Sequence, residues 1–126
     1  MRRPSVIAHR GASGYEYENS RAAFRRAVML DADGVELDVH ATRDGAIVVH
    51  HDPEIPGVGP IGLLSQAEAR HVRLRNGEPV PLLSEILDLM GDRDVWVELK
   101  TLPAAHDGAL LEALDRGPAP RRYAVH

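Results

Sequence analysis

Short β-like runs alternate with longer helical patterns along this chain, and that order restricts the fold to βα units built around a parallel sheet. The first run is Ser5-Val6-Ile7-Ala8-His9, closed by Arg10-Gly11. A helical pattern follows from about Ser20 to Leu30, carried by Ala22, Ala23, Ala27 and Leu30, with Asn19 or Ser20 as its N-cap. A second strand is predicted over Gly34 to His40, a turn at Thr42-Arg43-Asp44-Gly45, and a third strand over Ala46 to His50. Asp52 to Gly62 holds three Pro and three Gly and reads as a loop without regular structure. Ser65-Gln66-Ala67-Glu68 has capping-box spacing and opens a short helix. Helices over Leu82 to Met90 and Ala105 to Leu114 flank a fourth strand, Val95 to Leu99, and Tyr123-Ala124-Val125 begins a fifth.

A chain of 126 residues supplies one domain. A closed (β/α) barrel needs eight strands and about 250 residues. The expected fold is therefore α/β, the N-terminal part of a TIM-type (β/α) barrel with about five parallel strands and intervening helices. Residues 1–126 then form a partial domain, incomplete at its C-terminus, and a small open α/β sheet is the alternative. At 44% hydrophobic and 27% charged residues the composition is that of a globular protein. The net charge of -4 and five scattered aromatics (Tyr15, Tyr17, Phe24, Trp96, Tyr123) argue against a nucleic-acid partner. The absence of cysteine excludes a disulfide scaffold, a zinc ribbon and a thiol nucleophile. No apolar run is long enough for a membrane span and Met1-Arg2-Arg3-Pro4 leads into no signal-peptide core, so a cytoplasmic protein is expected.

The chemistry sits in the strands. In Val35-Glu36-Leu37-Asp38-Val39 a period of two puts the valines and leucine on one face and both carboxylates on the other. In Trp96-Val97-Glu98-Leu99-Lys100 the same alternation groups Trp96, Glu98 and Lys100. Either strand alone also suits the solvent-facing edge of an antiparallel sheet. In a parallel βα architecture helices cover the outer face, so the carboxylates point to the other side, where burial demands a partner or a metal. Glu36, Asp38 and Glu98 suit a hard, oxygen-liganded cation, Mg²⁺ or Ca²⁺. His9 and His51 fall at the C-terminal ends of strands, where α/β barrels keep their sites; one serves as general base and the other as general acid. Alternation separates His50 from Ile47, Val49 and His51 and favours His51, with Asp52 either orienting it or opening the loop. Arg10 suits a phosphate through its planar fork. Lys100, the only lysine among fifteen basic residues, adds a point charge beside the cation. His40, His71 and His106 read as surface, as do the arginines of Arg70 to Arg75, and Tyr15 to Glu18 reads as either a site border or an exposed loop.

Together these residues resemble the N-terminal part of a glycerophosphodiester phosphodiesterase. The matching elements are His9-Arg10-Gly11, Glu18-Asn19-Ser20 before Ala23-Phe24, and Gly34-Val35-Glu36-Leu37-Asp38-Val39. Thr42-Arg43-Asp44-Gly45, Val48-Val49-His50-His51-Asp52, Pro81-Leu82-Leu83-Ser84-Glu85 and Val97-Glu98-Leu99-Lys100 follow in the same order. Tyr17 stands where the family usually has Pro, and Ser20 where it has Thr, which keeps the hydroxyl for a cap. The resemblance implies a TIM-type barrel that hydrolyses glycerophosphodiesters, a small-molecule substrate, to glycerol 3-phosphate and an alcohol. It implies that His9 and His51 form the acid–base pair, that Glu36, Asp38 and Glu98 hold Mg²⁺ or Ca²⁺, and that Arg10 and Lys100 contact the phosphate. It further implies a glycerol hydroxyl that coordinates the metal and attacks phosphorus ahead of water.

Two alternatives stand beside that expectation. One is a related barrel phosphodiesterase, such as a phosphatidylinositol phospholipase C or a sphingomyelinase D, although no exposed apolar or basic loop suited to lipid is evident. The other is an inactive half-barrel whose two open sheet edges and apolar seam lead it to self-associate.

Overall fold

The computed structural model describes residues 3–100 and 102–126. Its elements are β1 (Ile7–His9), α1 (Arg21–Met29), β2 (Gly34–Ala41), β3 (Ile47–Val49), β4 (Glu54–Ile55), β5 (Gly59–Pro60), α2 (Gln66–Ala69), α3 (Leu83–Met90), β6 (Asp94–Leu99), α4 (Asp107–Asp115) and β7 (Tyr123–Val125). Strands β1, β2, β6 and β7 lie side by side in chain order and run parallel, as in a singly wound barrel wall.

The five expected strands share one sheet, but β3 runs antiparallel to β2, with Val39 opposite Val49 and Ala41 opposite Ile47. The cause is the length of the link. Parallel strands need a crossover of a dozen or more residues, whereas Thr42 to Gly45 folds into a tight turn. There the Thr42 N–H donates to the Ala46 carbonyl at 2.9 Å and Gly45 takes φ +87°. As a result β1 and β3 share one edge of β2, β1 against Gly34 to Glu36 and β3 against Val39 to Ala41.

Helices cover one face of this sheet. Phe24, Ala27, Leu83, Ile86, Leu87, Met90 and Leu110 pack against Val35, Leu37, Val39, Val95 and Val97 in a single core. Ser20 caps α1, its Oγ accepting from the Ala23 N–H at 3.2 Å, and Glu85 reaches back to the Leu82 N–H at 3.1 Å at the start of α3. Gly34 is required where β2 meets β6, since a Cβ there would stand 2.5 Å from the Asp94 carbonyl oxygen.

Residues 52–62, expected to lack regular structure, contain the short antiparallel ladder of β4 and β5. Ile55 and Ile61 anchor it in a second apolar cluster with Val48, Val72, Leu74 and Val80. The expected capping box of α2 is present, with Ser65 and Glu68 bonding each other's backbone N–H. Among the described residues no helix is long and apolar enough to cross a membrane.

Candidate active site

The face of the sheet opposite the helices carries charge. Registration of β2 with β6 sets Asp38 beside Glu98, and registration of β1 with β2 sets His9 beside Glu36. One ligand atom from each of Glu36, Asp38 and Glu98 lies within 4.8 Å of the other two. Asp38 is fully buried at 0% exposure, and Asp38 Oδ1 and Glu36 Oε1 are buried without a hydrogen bond. Three carboxylates held this close, two with unspent buried oxygens, form a donor set that fits a hard divalent cation.

The surrounding cations are ordered by the carboxylates. His9 Nε2 lies 3.4 Å from Glu36 Oε2. Arg10 donates from Nη1 to both Glu18 oxygens at 3.1 Å and brings Nε to 3.5 Å from Asp38 Oδ2. Lys100 Nζ donates to Glu98 Oε1 at 2.9 Å and lies 3.8 Å from Asp38 Oδ1. Burial, reinforced by the neighbouring Asp38 carboxylate, pushes the Glu36 carboxyl above its ordinary range. The Lys100 hydrogen bond holds Glu98 below its range, and the same bond raises the Lys100 ammonium.

His51 is held by contacts of its own. It lies beyond the last rung of β3, and its Nδ1 bonds Asp52 Oδ1 at 2.7 Å, a contact that holds the Asp52 carboxyl low. Its hydrogen bonds run to Asp52 and His40, so strand alternation, which placed His51 with Ile47 and Val49, does not govern it. Asp52 orients the ring.

Three residues outside the predicted site set belong here. His40 was expected at the surface; it is 2% exposed, because the alternation that turns Glu36 and Asp38 inward turns His40 the same way. Its Nε2 lies 2.9 Å from the His51 carbonyl, and burial holds its pKa below the ordinary histidine value. Asn19, considered as a cap, leaves that role to Ser20 and donates from Nδ2 to Asp38 Oδ2 at 3.0 Å from a left-handed backbone at φ +53°. Glu18 fixes Arg10. The period of β2, continued past Asp38, signals His40, whereas Glu18 and Asn19 precede α1 in a loop that follows no repeat. Arg70, Arg73 and Arg75 are exposed, as expected. A groove of about 380 Å³ on the helix side, lined by Leu82, Asp88, Glu112 and Arg116, contains none of the site residues.

Residues 9–109 match the model of the glycerophosphoryl diester phosphodiesterase family. A glycerophosphodiester phosphodiesterase of Caldanaerobacter subterraneus subsp. tengcongensis is 40% identical over 106 residues, covering 75% of this chain and 44% of the relative. A probable glycerophosphodiester phosphodiesterase 2 of Mycobacterium tuberculosis is 37% identical over 104 residues, covering 79% and 39%. Among solved structures, a glycerophosphodiester phosphodiesterase from Agrobacterium tumefaciens superposes with a TM-score of 0.84 at 30% identity, over 98% of this chain and 58% of that one. An Oleispira antarctica phosphodiesterase in complex with the product sn-glycerol-3-phosphate gives 0.83 at 27%, over 97% and 56%. The chain spans about half the length of the curated relatives it matches.

Proposed function

This chain belongs to the glycerophosphoryl diester phosphodiesterase family, and from that membership we propose that its charged face is the cation and phosphate site of an enzyme hydrolysing glycerophosphodiesters to glycerol 3-phosphate and an alcohol. The observation that carries the reading is the Glu36, Asp38 and Glu98 cluster, with ligand atoms within 4.8 Å and two buried oxygens unspent. These three side chains hold Mg²⁺ or Ca²⁺, which when bound supplies positive charge against the phosphoryl oxygens. Residues 1–126 then form part of one barrel domain.

The chain's own groups divide the remaining work. Arg10 and Lys100 neutralise the phosphate, Arg10 through its planar fork and Lys100 as a point charge. An oxygen from the glycerol hydroxyl or from water bonds to phosphorus as the bond to the departing alcohol breaks. Of His9 and His51, one takes the proton from the attacking oxygen and the other returns a proton to the alcohol. Asp52 Oδ1, 2.7 Å from Nδ1, fixes the orientation of the His51 ring.

The test is release of glycerol 3-phosphate from glycerophosphocholine, with Mg²⁺ or Ca²⁺ against a chelator. The expected result is cation-dependent release that falls about 100-fold or more in His9→Ala. Release that ignores the chelator overturns the reading, as does a folded chain that binds no cation. A folded chain that binds the cation but releases nothing confines the reading to the binding site.

A second reading, self-association of the 126-residue chain, is favoured by Trp96. It is 45% exposed on the charged face. The edges presented by β1 and β7 add to it.

A further inference from the structure

We infer that His40 is a positioning residue for His51, tying the backbone of that residue to the strand that carries Glu36 and Asp38. The inference rests on the proposed role of His51 and concerns a residue that role does not include. A carbonyl oxygen only accepts, so the 2.9 Å contact between His40 Nε2 and the His51 carbonyl requires the proton on Nε2, with the ring as donor. The ring stands on the inward face of β2, one alternation beyond Asp38, and so ties His51 to the strand that carries two of the three carboxylates.

The tie matters because the ladder has ended. The paired strand stops at Val49, and a single further rung joins the His50 N–H to the Asp38 carbonyl at 3.0 Å. The His40 ring takes up the next residue. Its bond fixes the peptide of His51, and Asp52, at 2.7 Å from Nδ1, fixes the direction of the His51 ring. The backbone and the side chain of His51 are thus held by two different partners.

Burial alone does not account for a histidine here. Fully buried polar rings carry a desolvation cost that an aliphatic side chain of similar size avoids. A cavity of about 220 Å³ bordered by His40, Thr42, Ile61 and His106 also lies alongside, so the ring is not wedged in place by packing on every side. The hydrogen bond to the His51 carbonyl is one contact that sets its position.

The test compares the full 126-residue chain with His40→Gln, which places an amide N–H near the position of Nε2, and with His40→Leu, which fills the site without a donor. The readout is the backbone ¹⁵N order parameter of Asp52, the amide of the peptide that carries the His51 carbonyl, with thermal melting recorded beside it. The expected values are near about 0.85 in the wild type and in His40→Gln, and below about 0.6 in His40→Leu. An ordered His51–Asp52 peptide in a folded His40→Leu chain overturns the inference, and so does an equal loss of order in both variants. If His40→Leu does not fold, His40→Asn, whose donor is one methylene too short, takes its place with the same expectation. Order that depends on His40 in a chain whose His51→Ala variant hydrolyses substrate unchanged overturns the acid–base reading of His51 and leaves the tie intact.

Discussion

Glu36 carries the clearest conflict between stability and function in the site. Burial and the Asp38 carboxylate raise its pKa, so the folded chain binds that proton more tightly than the unfolded chain, whose glutamate titrates near 4.5. The contribution is favourable at low pH and is lost as pH rises through the raised value. Glu36→Gln, measured without cation, is therefore expected to raise the unfolding free energy near neutral pH by an amount on the order of 1 kcal/mol, seen as a higher melting temperature, with the gain shrinking in acid. The same variant is expected to lose about tenfold or more in calorimetric cation affinity, because one charged ligand is gone. A melting curve unchanged at neutral pH would remove the stability half of that statement. At this scale the sequence was readable wherever a strand imposed its period: Glu36, Asp38, Glu98 and Lys100 occupy the face that alternation assigned them. His40 obeyed the same period and was legible in principle. Asn19 and Glu18 were not, because loop residues at φ +53° and its neighbourhood follow no repeat and reach their partners only through the tertiary fold.

Among the elements, α1 couples the core to the site. Its Phe24 is fully buried among β2 and α3 residues, and its entry carries Asn19 and the Ser20 cap. Phe24→Ala is expected to cost about 3–5 kcal/mol, read from chemical denaturation, while Ser20→Ala costs about 1 kcal/mol. Helix positions were legible because their caps, stops and apolar spacing are local. The TIM-type βα order was legible for the same reason, since helices separate the parallel strands β1, β2, β6 and β7. The direction of β3 was misjudged because a strand's sequence does not encode its sense; the four-residue turn before it does. The ladder of β4 and β5 was hidden under three prolines and three glycines, and only the burial of Ile55 and Ile61 makes it a structured excursion.

For the molecule as a whole, the charged face and the edges of β1 and β7 decide how this length of chain behaves in solution. Sedimentation velocity is expected to show dimers or larger species, shifted toward monomer by Trp96→Glu, which places charge on the exposed part of the face. A monomer at all concentrations would remove the self-association reading. The second apolar cluster has a separate consequence. Val48, Ile55, Ile61, Val72, Leu74 and Val80 pack apart from the main core, and the stretch they stabilise includes the chain just after His51. Such a unit can open and close on its own free energy while the parallel strands stay shut. The carboxylates ride on those strands and His51 does not. On the proposed function, transient loss of the smaller cluster would leave the carboxylates in place for an ion while releasing His51, a clutch between holding a substrate and acting on it.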